Sequence, residues 1–293
     1  MDSIILPPTV AQLTEPTSIA LAQQIQCQAI STPLSANPIQ TTFVHQGSGA
    51  PMLLLHGFDS SLFEFRRLQP LLAQHYSTWN VDLLGFGFSD RPLDVPFTPA
   101  AIKTHLYYTW KTLIGEPMIL VGASMGGAAA IDFTLTYPDA VQHLVLIDSA
   151  GFAKGPDISK LMLPGLGFLA TEFLRRPGVR RSVSLKAYAD SSFVTSDAEL
   201  CAALHLHHPR WQTALITFTK SGGYNFLADK ISQITPPTLI LWGDSDNILG
   251  TADAAKFKQA LPHSQLVWIP NCGHVPHLEK PQATADAIHA ATT

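Results

Sequence analysis

Apolar residues fall along this chain in two alternating patterns. Short unbroken runs bounded by turn residues predict strands buried on both faces. They are Met52-Leu53-Leu54-Leu55, Pro117-Met118-Ile119-Leu120-Val121, Val141 to Ile147, Thr238-Leu239-Ile240-Leu241-Trp242 and Leu266-Val267-Trp268-Ile269, with Thr78 to Leu83 as a further strand. Between them the spacing turns helical. Phe65, Leu68, Leu71 and Leu72 predict a helix over 61–76, and others are expected over 98–113, after residue 126, near 252–260 and from about Pro276. Period-two alternation over 24–30 and 41–45, with Pro33, Asn37 and Pro38 between, predicts an antiparallel pair. Strands alternating with helices over 51–148 imply a mostly parallel sheet with helices on both faces, an α/β fold.

After Asp148 the strand pattern stops. Residues 151–232 carry only amphipathic stretches, among them Leu161 to Phe173 and Ala198 to His205, separated by Pro164, Pro177 and Pro209. The expected organisation is an N-terminal tail or arm at 1–20, a core formed by 21–150 and 233–293, and an inserted helical cap at 151–232. Such an insertion leaves the sheet at the ends of its strands, so some of Leu161, Leu163, Leu166, Phe168, Leu169, Phe173 and Leu174 are expected to face a pocket below.

Composition narrows the partners. Hydrophobic residues make up 46% of the 293, charged residues 14%, and the formal net charge is −4. That balance, without a basic run, speaks against nucleic acid or an anionic membrane as the main partner and favours a small hydrophobic molecule. Cys27, Cys201 and Cys272 are odd in number and widely spaced, as expected of reduced thiols. No stretch approaches the roughly 18 apolar residues of a membrane span, and residues 1–8 lack the pattern of a signal peptide. The sequence therefore predicts a cytoplasmic protein without stable membrane insertion; no pattern in it fixes an oligomeric state.

The chemistry gathers at predicted strand ends. Gly122-Ala123-Ser124-Met125-Gly126 joins a buried strand to a helix, and a serine held in so sharp a turn needs glycine on both sides, where a side chain would strike the neighbouring strand or helix. A serine hydroxyl attacks only with a base to take its proton. His274, in a loop after the last strand, is the best candidate, with His277 and His263 as alternatives. The base in turn needs a carboxylate, which Asp244 and Asp246 offer after one strand and Asp148 after another. The oxyanion of a tetrahedral intermediate needs preorganised donors, and the N–H groups of Met125 and Phe58 are placed to supply them. His56 reads as a loop-holding residue. His205, His207 and His208 read as a solvated turn, Gly85 and Gly87 as an incomplete phosphate fingerprint, and Cys272 as packing, so no metal and no cofactor are expected.

The ordered set His56-Gly57-Phe58, Asp82-Leu83-Leu84-Gly85-Phe86-Gly87-Phe88-Ser89-Asp90, Gly122-Ala123-Ser124-Met125-Gly126-Gly127, Trp242-Gly243-Asp244-Ser245-Asp246 and Gly273-His274 resembles the α/β-hydrolase superfamily over residues from about 40 to 290. The resemblance implies an α/β-hydrolase fold with Ser124 as nucleophile, Asp246 as acid, His274 as base and Phe58 and Met125 as the oxyanion-hole amides. It also implies Gly57, Phe58, Leu166 and Phe168 as substrate contacts. Serine at the elbow separates the chain from haloalkane dehalogenases and epoxide hydrolases, which carry aspartate there. More narrowly, His56-Gly57-Phe58-Asp59-Ser60-Ser61 and Ser221-Gly222-Gly223-Tyr224-Asn225 are similar to a cyanobacterial and plastid branch, some members of which are linked to chlorophyll or prenyl-lipid metabolism. The reaction expected is cleavage of a carboxylic ester or related acyl bond in a small hydrophobic substrate through an acyl-enzyme. Carbon–carbon bond hydrolysis, cofactor-free haloperoxidase-like chemistry and ligand reception without turnover are the rival readings.

Overall fold

The computed structural model describes residues 6–152 and 165–293. Eight strands form one sheet: β1 Gln26–Ile30, β2 Ile39–Gln46, β3 Ala50–Leu55, β4 Tyr76–Val81, β5 Met118–Ala123, β6 Val141–Ile147, β7 Thr238–Gly243 and β8 Ser264–Ile269. Their spatial order is β1-β2-β4-β3-β5-β6-β7-β8. Only β2 runs against its neighbours; every pair from β4 to β8 is parallel. The helices are α1 Pro16–Gln24, α2 Gln69–Leu72, α3 Pro99–Leu113, α4 Met125–Thr136, α5 Leu166–Arg175, α6 Pro177–Ala187, α7 Ser196–Ala203, α8 Trp211–Lys220, α9 Ala252–Ala260, α10 Pro276–Glu279 and α11 Pro281–Thr292. None of them is long and apolar enough to cross a membrane.

Unbroken apolar runs make central strands here because both faces of the sheet are covered. Leu53, Leu55, Leu120, Leu144, Leu146 and Ile240 point to one face, while Met52, Leu54, Ile119, Val121, Val145 and Leu239 point to the other, each set inside its own buried cluster. The register then brings the strand ends level. Leu55 pairs with Gly122, Ala123 with Ile147 and Ile147 with Leu241, so the loops after β3, β5, β6 and β7 leave along one rim. β3 sits between β4 and β5, and the chain leaves it first to one side and then returns to the other. The loops after β3 and β5 thus part at a topological switch point, where open parallel sheets form a crevice.

The structure departs from sequence expectation in three places. The expected helix over 61–76 is a 3-10 turn, Leu62–Phe65, followed by the single turn α2, because Pro70 has no N–H to continue a ladder. The expected last helix is two, α10 and α11, since Lys280 precedes Pro281 and is turned out of the helical region. The first 20 residues contain most of helix α1, and Leu13 and Leu21 are buried against Phe63, Cys201 and Leu204.

That N-terminal arm is fastened by one carboxylate. Asp197 on α7 accepts hydrogen bonds from Thr14 N (2.6 Å), Glu15 N (2.9 Å) and Ser18 Oγ (2.6 Å), placing an anion at the N-terminus of α1. Burial opposes its charge, but these donors prevail and hold the carboxyl below its usual range. A depressed carboxyl stabilises the fold above its unfolded value, near about 3.9, and that contribution is lost as pH falls through the folded value. Asp197→Asn is expected to cost roughly 1–3 kcal/mol in urea unfolding at pH 7, and the gap to wild type should narrow below about pH 4. A gap that is the same at both pH values would show that the charge plays no part.

Candidate active site

Ser124 sits between β5 and α4 at φ 51°, ψ −117°, in the positive-φ region that side-chain-bearing residues rarely occupy. The strain is held by close backbone packing. A Cβ on Gly122 would strike the Gly126 carbonyl, and one on Gly126 would strike the Leu55 carbonyl and come within 2.6 Å of His56 O. Ser124 N donates to Ile147 O (2.9 Å), and Ser124 O accepts from Ala150 N (3.0 Å), which tie the turn to the end of β6.

The loop after β3 lies against this turn. A Cβ on Gly57 would be 3.4 Å from Ser124 Cβ and 3.2 Å from Glu64 Oε1, so the chain passes close against the serine. His56 holds the loop from behind: Leu83 N donates to its Nε2 (3.1 Å), which leaves Nδ1 with the proton that it donates to Gly57 O (2.8 Å). Gly57 N donates to Glu64 Oε2 (2.7 Å). Burial works against the Glu64 charge, but His277 and the other neighbours overcome it and bring the carboxyl down to about 2. Phe58 follows, with its ring 6.0 Å from Phe86 and 5.9 Å from Phe218. Met125 is the first residue of α4, where backbone N–H groups lack helical partners.

His274 and Asp246 meet at the far side of the rim. His274 Nδ1 is 2.9 Å from Asp246 Oδ2, both residues are buried, and His274 N donates to Ala187 O (2.7 Å). Asp246 Oδ1 accepts from Ile248 N (2.7 Å) and Leu249 N (3.1 Å). Burial raises the Asp246 carboxyl, yet the hydrogen bond and charge of His274 and the two amides outweigh it, leaving the group below its usual range and ionised. An ionised Asp246 accepts a hydrogen bond from Nδ1–H, which leaves Nε2 as the basic atom of the ring.

Asp148 is the third member of the cluster. One oxygen of Asp148, one of Asp246 and a ring nitrogen of His274 lie within 4.8 Å of one another. Burial first, and the Asp246 charge second, push the Asp148 carboxyl well above its usual range. Its Oδ1 accepts from Gly243 N (3.0 Å), while its buried Oδ2 has no donor partner. A proton on Oδ2 resolves that orphan, because a neutral acid can donate where a carboxylate cannot. This is the one group with metal-ligand spacing among the described residues, but its donors are engaged with protons and one another, the reverse of a deprotonated ligand set.

The other sequence candidates are elsewhere. Asp244 is exposed and accepts from Ser245 Oγ (2.8 Å), making the turn. His277 Nε2 lies 3.1 Å from Glu64 Oε1 without hydrogen-bond geometry, and His263 borders a separate cleft beside Pro237 and Thr238. His205, expected in a solvated turn, is buried with Nε2 3.1 Å from Asp59 Oδ1, and His208 contacts Arg91. Of the glycines after β4, Gly85 lies against Phe97 and Gly87 against Asp82, whose carboxylate accepts from Leu62 N (2.7 Å) and Phe88 N (2.8 Å), so that loop is structural. Cys272 is fully buried, and burial raises its thiol above its usual value.

Ser124, His274, Gly57 and Phe58 all line one cavity of about 350 Å³, at the lower end of small-molecule sites. Its walls include Leu174, Val179, Val183, Tyr188 and Ile248. Leu166 and Phe168, named as substrate contacts from sequence, do not line it: they are 48% and 51% exposed on the outer side of α5. Leu161 and Leu163 lie outside the described residues.

Three acids that sequence reasoning passed over, Glu279 buried and Glu64 and Asp59 partly so, hold the site together. Glu64 fixes the loop after β3. Glu279 accepts from Gly273 N (2.8 Å), Ala189 N (3.1 Å) and Asp190 N (2.8 Å), joining the His274 loop to the end of α6. Asp59 accepts from Arg180 Nη1 (2.8 Å) and Trp211 Nε1 (2.7 Å), joining the Phe58 loop to α6 and α8.

Comparison with known proteins agrees with this geometry. A model described as the alpha/beta hydrolase family matches residues 52–287. An alpha/beta hydrolase domain-containing protein, VTE7, of Arabidopsis thaliana is 35% identical over 287 residues, covering 94% of this chain and 86% of that protein. A 2-hydroxy-6-oxo-6-(2'-aminophenyl)hexa-2,4-dienoic acid hydrolase of Metapseudomonas resinovorans is 27% identical over 263 residues, 87% of this chain and 88% of its own. A solved thermophilic esterase of Thermogutta terrifontis superposes with a TM-score of 0.76 at 25% identity, covering 90% of this chain and 97% of that one.

The two aspartates beside His274 separate by experiment. Any ester turnover by this site should fall about 10³- to 10⁴-fold in kcat for Asp246→Asn, which removes the ionised partner of Nδ1. Asparagine at 148 mimics a protonated acid, accepting from Gly243 N and donating to Asp246, so Asp148→Asn should keep kcat within about tenfold. Steady-state kinetics on both variants checks this, and a larger kcat loss at 148 than at 246 would reverse the assignment.

Proposed function

The chain belongs to the alpha/beta hydrolase family, and on that premise we propose that it is a cofactor-independent serine hydrolase that cleaves a carboxylic ester or related acyl bond in a small hydrophobic substrate. The observation that carries this reading is Ser124 in its strained turn sharing a cavity with a histidine whose Nδ1 is bound by an ionised, buried aspartate. Ser124 attacks the carbonyl carbon while His274 Nε2 takes its proton. Asp246 fixes the tautomer and stabilises the imidazolium, and the N–H groups of Phe58 and Met125 receive the oxyanion. The same imidazolium then protonates the leaving alcohol, and water, deprotonated by His274, releases the acid and restores the serine.

The helices α5–α8 act as a cap over the serine, and the cap residues Leu174, Val179 and Val183 make the cavity wall apolar. An apolar chain entering it releases water at about 0.8 kcal/mol per buried CH₂, roughly a fourfold gain in kcat/KM for each methylene until the space is filled. A relative whose name describes hydrolysis of a dienoic acid favours carbon–carbon bond cleavage as the second reading. Both reactions use the same serine, so product identity decides between them.

Labelling with a fluorophosphonate probe tests the nucleophile. Wild type should label, while Ser124→Ala should neither label nor turn over yet melt within a few degrees of wild type, since the lost hydroxyl is small; full labelling of the variant would move the nucleophile elsewhere. A series of p-nitrophenyl esters tests the pocket, with kcat/KM rising from acetate to medium chains and then levelling. A flat series, or a preference for charged esters, would contradict an apolar substrate.

A further inference from the structure

Helix α5 is built inside out. Its buried positions are Gly167 and Thr171, because α8 packs closely there and a Cβ on Gly167 would already lie 3.2 Å from Ile216. Leu174 faces the cavity, but four of the helix's large apolar residues face away from the protein: Leu166, Phe168, Leu169 and Phe173 are 48%, 51%, 68% and 54% exposed. Helix α6 has no buried residue and adds exposed Val183 and Leu185. A contiguous apolar face of this kind marks a surface that something covers.

Charge says what covers it. Between Glu172 and Asp190 the chain holds Arg175, Arg176, Arg180, Arg181 and Lys186 and no acid, a local excess that the net −4 of the whole protein conceals. Arg180 turns inward to Asp59. Arg175 and Arg181 make exposed pairs with Glu172 and Glu199, which bind weakly in water. Arg176 lies over the Phe173 ring at 5.8 Å, so the cations border the apolar side chains directly. A second copy of the chain would bring the same cationic cluster into the contact from both sides, with no acid between Glu172 and Asp190 to offset it. The cavity reaches the same surface: Val183 lines it and is 52% exposed.

We propose that the α5–α6 face docks peripherally on an anionic lipid surface, with Leu166, Phe168, Leu169 and Phe173 at the boundary of headgroups and acyl chains and Arg175, Arg176, Arg181 and Lys186 among the headgroups. The cavity mouth then opens onto the leaflet, from which an apolar substrate reaches Ser124 without crossing water. The expectation from net charge sums over the whole chain and does not weigh this twelve-residue cluster. Docking is independent of the hydrolase reading, because binding requires no turnover.

The test uses full-length protein carrying Ser124→Ala, so that lipid is not consumed, in a vesicle co-sedimentation assay. Vesicles of equal parts phosphatidylcholine and phosphatidylglycerol should bind it, with affinity falling steeply as salt rises, and phosphatidylcholine alone should bind it poorly. Arg176→Gln with Lys186→Gln should lower partition about thirtyfold, at roughly fivefold per cation. Leu169→Ser with Phe173→Ser should lower it about tenfold or more. In the Ser124 background both pairs should leave hydrolysis of a soluble acetate ester unchanged, since none of the four residues lines the cavity. No partition, equal partition onto neutral vesicles, or indifference to both pairs overturns the proposal. So does a lipid-free dimer that Leu169→Ser with Phe173→Ser dissolves, which would give the face to a second copy.

Discussion

The site depends on how closely two stretches of backbone approach. Gly126 at the start of α4 lies against the carbonyls of Leu55 and His56 at the end of β3, and Gly122 lies against Gly126 itself. No side chain fits between them, so a single residue, Ser124, separates the strand from the helix and is forced to positive φ. The strain is sustained by the buried sheet below, where Met52–Leu55 of β3 pair with Ile119–Gly122 of β5, and Ile119–Ala123 pair in turn with His143–Ile147 of β6. Ser124 is therefore presented at the rim by packing that lies elsewhere, which is how a strained conformation persists in a folded chain.

The surroundings of that serine form a set of acids with divided roles. Converging donors hold the Asp246 carboxyl below its usual range, while burial and the neighbouring charge push the Asp148 carboxyl well above it, toward the neutral acid. Two carboxyls a few ångströms apart cannot both ionise cheaply, and here the environment assigns the charge to the one that faces His274. Glu64, Asp59 and Glu279 stay outside the chemistry. Glu64 binds the Gly57 amide within the loop after β3, while Asp59 and Glu279 accept from donors on both sides of a gap and couple the loops after β3 and β8 to the helices above them. The helical segment and the rim are thus held in one arrangement by buried hydrogen bonds to charged groups, which are stronger than neutral ones.

Much of this was legible in the sequence, and the exceptions share a cause. The strands could be read because Met52 to Leu55 and Met118 to Val121 are buried on both faces, and only a covered parallel sheet uses such runs. The order of Ser124, Asp246 and His274 along the chain follows from which strand ends meet at one rim. Glu64 and Glu279 were not legible, since their partners are backbone N–H groups that every residue carries and that only the tertiary fold brings near. Helix α5 misled for a related reason. Amphipathic spacing locates an apolar stripe, but which way the stripe faces is set by the neighbouring helix, and α8 left room only for Gly167 and Thr171. Small residues at 167, 170 and 171 were the available signal for that inner face.

The central claim is that a covalent acyl bond forms on Ser124 through the basic Nε2 of His274. Intact-protein mass spectrometry of the enzyme quenched during turnover of a p-nitrophenyl ester reads that bond directly. The account predicts a mass increase equal to one acyl group, located on the peptide that contains Ser124 and absent from His274→Ala. Turnover without any adduct in protein quenched on the millisecond scale, or an adduct on a different residue, would contradict it.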